Sequence, residues 1–164
     1  MELAAFNQLA ADEAQAAIRH CVAIPHWQQS LVAARPFAST EALLDTADAL
    51  ARQWQQPELE AALSAHPRIG ERASGADKES VLSRGEQSAM QQADDALQQA
   101  MQKGNEAYEA RFGRVFLIRA KGRSGEQMLA ELQRRLQNSD PAEQQEVLDQ
   151  LREITLLRLK ETIQ

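Results

Sequence analysis

The residue pair best suited to chemistry is a histidine followed by a proline, His66-Pro67, at the point where a helical pattern stops. Proline disfavours the α conformation in the residue before it, so His66 is predicted to begin an extended segment with its imidazole clear of any helix face. The unperturbed pKa of histidine lies near neutrality, which suits general acid or base catalysis. A solvated loop histidine is the alternative, because the dipeptide alone gives His66 no partner.

A second candidate is the run Ser83-Arg84-Gly85-Glu86, which matches a capping box with Ser83 as N-cap and Glu86 three residues later. In the structural interpretation, Glu86 only accepts a hydrogen bond from the Ser83 backbone. Gly85 in the first helical turn lowers helix stability by roughly 1 kcal/mol relative to alanine. A glycine at this position is therefore explained best if another group must approach that backbone closely. Because a glycine at a helix N-terminus suits a polar or anionic ligand, ligand binding is the other interpretation.

The third candidate is an arginine on the apolar side of the last predicted helix. On a helical wheel Val147, Leu151 and Ile154 form an apolar arc, and Arg158 falls in its middle. Arg158 either extends along the helix to reach water or is a buried guanidinium that awaits an anion. Its position in the sequence does not separate the two.

A metal site formed by the three histidines is not favoured. No pair among His20, His26 and His66 has the spacing of metal ligands, and no cluster of cysteine or aspartate joins them. The single cysteine, Cys21, lies in an apolar run and is predicted to be a buried structural thiol in a reducing compartment.

The composition predicts one all-α domain over residues 1–164. A chain of 164 residues can bury a single core, aromatic residues make up only 4%, and helix-forming Ala, Leu, Gln and Glu dominate. The net charge of -6 argues against nucleic acid as a partner, because phosphate binding needs excess Lys and Arg. The apolar runs are too short for a membrane span, so we expect no membrane association and a cytoplasmic protein.

A multi-helix bundle follows from the apolar periodicity and the capping residues. Two short helices are predicted within residues 1–20, around a cap at Asp12. A longer helix is capped by Ser39 or Thr40 and runs to Trp54. The other predicted helices cover 25–34, 58–64, 83–112, 124–137 and 140–163. Ser124 and Gln127 form a second capping box. One short stretch, 114–120, has extended character and is predicted to be a connector through the core, with backbone groups that a ligand could use.

Four motifs together resemble the ureidoimidazoline decarboxylase family of urate degradation. The order and spacing of these motifs, spread over nearly the whole chain, make a chance match improbable. They are His66-Pro67, then Ser83-Arg84-Gly85-Glu86-Gln87, then Phe112-Gly113 followed by Phe116-Leu117-Ile118-Arg119-Ala120, and finally Leu157-Arg158-Leu159.

The resemblance implies a function and a set of site residues. Members of the family decarboxylate 2-oxo-4-hydroxy-4-carboxy-5-ureidoimidazoline (OHCU) to (S)-allantoin, so the chain is expected to be a carboxy-lyase. The implied catalytic residues are His66 as acid or base, with Glu86 and Arg158. The implied substrate contacts come from Pro67, from Ser83, Arg84, Gly85, Glu86 and Gln87, and from Phe116, Leu117, Ile118, Arg119 and Ala120.

The implied chemistry needs no cofactor and no metal, because the substrate can itself accept the electron pair that the departing CO₂ leaves. The protein then has to orient the substrate, stabilise charge and move a proton. A homodimer and functional coupling to hydroxyisourate hydrolase are left open. The alternatives from other classes are a helical adaptor domain without activity and, less well supported, a metal-dependent hydrolase.

Overall fold

The computed structural model describes residues 1–64, 69 and 85–164, and nine α-helices make up most of this part of the chain. The described residues contain no strand, and the predicted all-α class is confirmed. The helices are α1 Leu3–Gln8, α2 Ala11–Ile18, α3 Pro25–Ala33, α4 Thr40–Ala51, α5 Gln56–Leu63, α6 Ser88–Gln91, α7 Asp95–Phe112, α8 Gly125–Arg135 and α9 Asp140–Thr162. A 3₁₀ turn, Arg19–Cys21, follows α2.

The helices divide into two compact units. The first comprises Met1–Ser64 and Arg152–Gln164. In it the Trp27 indole donates to the Ala47 carbonyl at 3.1 Å and lies edge-on to the Trp54 ring, which joins α3 to α4 and to the residues that follow it. The Leu3 N–H donates to the Gln164 carbonyl at 2.9 Å, so both chain ends belong to the same unit.

A polar side chain organises the start of the first unit. Asn7 donates through Nδ2 to the Phe37 carbonyl at 3.0 Å and accepts from the Phe37 N–H at 2.9 Å. Arg35 donates to the carbonyls of Phe6 and Leu9, both at 2.7 Å. The two Arg35 bonds supply donors to carbonyls at the end of α1, where donors from a following helical turn run out.

The second unit comprises Ala65–Leu151, and its described part holds α6, α7, α8 and the start of α9. Helices α7 and α8 approach closely at Gly104, where an added Cβ would lie 2.3 Å from a methyl of Leu132. Its apolar core comprises Ile69, Met90, Met101, Tyr108, Phe116, Ile118, Ala120, Met128 and Leu132. The predicted connector therefore contributes three of its residues to this core.

Several local predictions are confirmed by the hydrogen bonds at the helix ends. Ser39 caps α4 by accepting from the Ala42 N–H at 3.1 Å. Ser124 and Gln127 form the reciprocal capping box that begins α8, with distances of 3.1 and 2.8 Å. Residues 115–120 have neither helix nor strand, as predicted for the connector. The left-handed conformation of Gly113, with φ of 70°, turns the chain from α7 into it.

Three predicted boundaries are wrong. Helix α2 begins after Ala10, because Asp12 lies in its first turn, where a carboxylate favours the helix dipole without capping. The single predicted helix over 83–112 is interrupted at 92–94, since Asp94 accepts from the Leu97 N–H at 2.8 Å and starts α7 anew. Helix α4 ends at Ala51, short of Trp54.

Candidate functional site

The residues around Glu86 lie in the second unit, ahead of the core residue Met90. Gly85 is exposed, Glu86 is half-buried and Gln87 is buried with 6% exposure. An added Cβ at Gly85 would meet no atom within 4 Å, so the backbone there faces open space. Four predicted site residues lie outside the described part of the chain: His66, Pro67, Ser83 and Arg84.

The predicted substrate-contact connector is buried and fastened by side chains. Phe116, Leu117, Ile118 and Ala120 are buried, whereas Arg119 is half-buried. The Arg135 guanidinium donates to the Leu117 carbonyl at 2.9 Å. Two residues later, the Arg119 N–H donates to Gln150 Oε1 at 2.9 Å.

The Arg119 side chain lies beside a surface cavity of about 310 Å³. The cavity is lined by Arg119, Gly122, Arg123, Gln127, Ala130 and Glu131. Within the described residues, the Arg119 side chain thus faces this polar cavity, and its backbone N–H holds the connector to α9.

A buried ionic network in the second unit includes the Arg135 guanidinium. Arg135 is 1% exposed and Glu143 is 0% exposed, and Arg135 donates to Glu143 Oε2 through Nε at 3.0 Å and Nη2 at 2.6 Å. The Tyr108 hydroxyl donates to the same carboxylate oxygen. The Arg135 guanidinium also lies 4.5 Å from the Phe116 ring centre. A guanidinium has five N–H donors, and leaving them without acceptors in a core is costly. This network provides acceptors for several of them.

Two acidic groups in this part of the molecule have shifted pKa values. Burial and the hydrogen bond to Glu143 raise the pKa of the Tyr108 phenol well above its ordinary value of 10.0. At the surface nearby, the hydrogen bond from Arg134 lowers the pKa of the Glu146 carboxyl. Tyr108 is therefore neutral and Glu146 charged at neutral pH.

Arg158 lies in the first unit and is buried, with 1% exposure. Its Nη1 donates to the His20 carbonyl at 3.4 Å. The structure therefore favours the buried guanidinium over a side chain that reaches water. The catalytic role implied for Arg158 stays a prediction.

His20 is held by hydrogen bonds within the first unit. The Thr162 hydroxyl donates to the Arg158 carbonyl at 2.7 Å, so the contact of 2.7 Å between His20 Nε2 and the same hydroxyl requires His20 to donate. Cys21 is buried, as predicted. In the parts of the chain that the structure describes, no group of three or more His, Cys, Asp or Glu could hold a metal ion.

Arg135 and Glu143 are not among the residues predicted from the sequence. The signal was present, because Arg135 follows Met128 and Leu132 by seven and three residues and so shares their inward face of α8. On a helical wheel, Arg135 is identified in the same way as Arg158.

Across residues 1–64 and 85–164, no helix is long and apolar enough to cross a membrane.

Comparison with known proteins decides the family. A family model described as OHCU decarboxylase matches residues 7–160. The chain belongs to the OHCU decarboxylase family. It is a carboxy-lyase of urate degradation, and the predicted family and class of enzyme are confirmed.

Two solved structures are similar to this OHCU decarboxylase family member. An OHCU decarboxylase crystallised in the presence of (S)-allantoin has a TM-score of 0.72 and 26% identity, covering 87% of this chain and 94% of that one. An (S)-allantoin synthase has a TM-score of 0.74 and 17% identity, covering 99% of this chain and 54% of that one, and shares the fold. No curated protein matches the sequence.

Proposed function

We propose that the protein converts OHCU to (S)-allantoin with His66 as the proton-transferring residue and with Glu86 and Arg158 as its catalytic partners. The observation that carries this proposal is the family match, which extends over residues 7–160 and so includes all three positions. The burial of Arg158 supports it, because a core guanidinium is costly unless it serves an anion or a polar partner.

The reaction follows from the bonds of the substrate. When the bond to the carboxylate breaks and CO₂ leaves, the electron pair forms a double bond to the ring carbon that bears the ureido group, and the ring C=N accepts electrons and a proton. The resulting enol transfers its hydroxyl hydrogen to solvent or base, and a proton is delivered to the ureido-bearing carbon. No external oxidant or reductant enters this balance.

Each proposed residue has a task in that sequence. Arg158 stabilises the carboxylate and the developing enolate charge, as a planar guanidinium can. The Glu86 carboxylate accepts hydrogen bonds from the hydroxyl or ureido groups and holds the ring. His66 moves the proton, and delivery to one face of the planar intermediate gives the S configuration.

Substrate binding in this proposal involves backbone groups as well. The connector residues Phe116, Leu117, Ile118, Arg119 and Ala120, together with Pro67 and the turn Ser83, Arg84, Gly85, Glu86 and Gln87, contact the heterocycle. Most of the connector is buried, which supports recognition through its backbone. At Arg119 such contacts involve the backbone and do not depend on the side chain.

The proposal extends to the setting of the reaction. We place the protein in the cytoplasm as a homodimer, functionally coupled to hydroxyisourate hydrolase, which supplies the substrate, and without a cofactor. Light scattering on the purified protein measures the oligomeric state. Co-elution with the hydrolase tests the coupling, and turnover after exhaustive chelation tests the absence of a metal cofactor.

The residue assignment is tested by His66→Asn and Glu86→Gln, with His26→Asn as the matched control because His26 is an exposed histidine on α3. His66→Asn should lower kcat by about 100-fold or more, the usual contribution of a general acid or base. Glu86→Gln should lower kcat/KM and keep the fold, because glutamine also completes a capping box. Full activity in His66→Asn, or an equal loss in His26→Asn, would refute the assignment.

A further inference from the structure

The connector over residues 115–120 is held by side chains instead of by a strand partner. Its backbone is fastened at two points, the Leu117 carbonyl and the Arg119 N–H. These two groups lie on either side of residue 118, and each is hydrogen-bonded by a side chain from another element. This pattern fits an extended chain, in which the backbone groups of every second residue point to the same side.

The first tether is fixed by the buried ionic network. Glu143 holds the Arg135 guanidinium through two of its nitrogens, and Arg135 Nη1 is thereby aimed at the Leu117 carbonyl. The Phe116 ring lies over the same guanidinium. The network therefore determines where the Leu117 carbonyl lies.

The second tether comes from the same side of α9. Gln150 follows Glu143 by seven residues, which is two helical turns, so the two side chains share one face of that helix. Gln150 is half-buried and accepts from the Arg119 N–H. One face of α9 thus positions the connector on both sides of residue 118, through Glu143 and Arg135 at residue 117 and through Gln150 at residue 119.

Between the tethers lies the backbone of Ile118, which has no hydrogen-bond partner among the described residues. Ile118 is 3% exposed, and within the described part of the chain no hydrogen bond involves its N–H or carbonyl. A buried backbone group without a partner is costly, so such groups are normally paired. The alternation of an extended chain turns the Ile118 N–H and carbonyl away from the tethers.

We propose that Gln150 and Arg135 are positioning residues, which hold the connector so that the Ile118 N–H and carbonyl face the substrate. A ureido-substituted heterocycle carries both N–H donors and carbonyl acceptors, so it can satisfy both groups of one residue. The inference rests on the proposed function and adds to it two residues that act on binding through the connector.

The test compares three single variants on α9. Gln150→Met removes the acceptor for the Arg119 N–H, and Gln150→Glu restores an acceptor oxygen at the same reach. Gln145→Met is the matched control, because Gln145 is an exposed glutamine of the same helix. Steady-state KM and kcat, the Kd for (S)-allantoin and the melting temperature are measured for each.

Gln150→Met should raise KM and the Kd for (S)-allantoin by about two- to tenfold, the contribution of one neutral hydrogen bond, with kcat and Tm near wild type. Gln150→Glu should bring both constants back toward wild type, and Gln145→Met should leave them unchanged. Unchanged constants in Gln150→Met, no recovery in Gln150→Glu, or an equal rise in Gln145→Met would overturn the inference.

A second variant covers the case in which Gln150→Met does not fold. Arg135→Lys keeps the positive charge beside Glu143 and loses the planar fork that reaches Leu117 at the same time. It should raise KM by a similar factor, whereas the surface variant Arg134→Lys should not. An unchanged KM in folded Arg135→Lys overturns the inference.

The readouts separate this inference from the proposed function. A wild-type protein that binds (S)-allantoin without decarboxylating OHCU refutes the proposed function, and the Kd series across the Gln150 variants still decides the tethers. Normal turnover in wild type and unaltered constants in Gln150→Met refute the tethers alone. Absence of both turnover and binding in wild type refutes both.

Discussion

Asn105 donates through Nδ2 to the carbonyl oxygen of Ile69 at 2.6 Å. Both residues are buried, Asn105 on the core side of α7 and Ile69 in the apolar cluster of the second unit. Ile69 is also the one described residue of the stretch 65–84. This bond therefore fastens the Ile69 backbone to a long helix, α7.

Loss of this bond should destabilise the protein. In Asn105→Ala the buried Ile69 carbonyl has no donor, which costs about 1–3 kcal/mol before any cavity is counted. Gln102→Ala is the matched control, because Gln102 is an exposed residue of the same helix. Urea denaturation should separate the two variants, and equal midpoints would contradict a supporting role for Asn105.

Tyr108 should titrate abnormally. It is the single tyrosine of the chain, and burial together with the bond to Glu143 raises its pKa above 10.0. Below pH 10 the phenol is neutral in both states and does not make stability depend on pH. As the pH rises above 10, the unfolded chain loses the proton first, so the free energy of unfolding falls.

Phenolate absorbance measured against pH, with far-ultraviolet circular dichroism on the same samples, checks this expectation. Phenolate should form only together with loss of helix. Its appearance near pH 10 in a fully helical protein would show that Tyr108 is accessible and unshifted.

The buried and exposed ion pairs of α8 and α9 should differ in their contribution to stability. Glu143→Ala leaves the buried Arg135 charge without its carboxylate and should cost about 3–5 kcal/mol. Glu146→Ala removes the partner of the exposed Arg134, a bond of 2.6 Å, and should cost about 0–1 kcal/mol. Similar denaturation midpoints for these variants would contradict the assignment of Arg135 and Glu143 to the core.

The sequence predicted those features that depend on neighbours along the chain. Ser39 and the Ser124-Gln127 pair cap their helices because a hydroxyl or amide there reaches the first free N–H groups. The connector was predicted because β-branched and aromatic residues without helical spacing interrupt the helical pattern. From its position among apolar residues on the helical wheel, Arg158 could either reach water or be buried. The tertiary structure shows that it is buried.

Features that depend on competition or on distant contacts were not predicted. At residues 92–94 the helical periodicity is unbroken in the sequence, yet the Asp94 side chain competes for a backbone N–H and restarts the helix. Helix α2 likewise begins ahead of Asp12, at Ala11, and its N-cap residue Ala10 makes no side-chain cap bond. The pairing of Arg135 with Glu143 joins two helices, and one sequence cannot show which buried cation meets which carboxylate.

Arg158 gives a direct test of the charge-stabilising role. Arg158→Lys keeps a cation and loses the bidentate geometry, so kcat/KM should fall by about 10- to 100-fold, the contribution of a charged hydrogen bond, with a near-normal melting temperature. Arg152→Lys is the control on the same helix, since Arg152 binds Asp48 at 3.1 Å. Unaltered kcat/KM in Arg158→Lys would assign the guanidinium a structural task.

The most direct test of the proposed function is the stereochemistry of the product. Urate is oxidised in the presence of hydroxyisourate hydrolase, with and without this protein, and the optical activity of the allantoin is followed over time. (S)-Allantoin should accumulate rapidly only when the protein is present, and racemic allantoin should form more slowly without it. Racemic allantoin formed at the same rate in both reactions would contradict the proposed function.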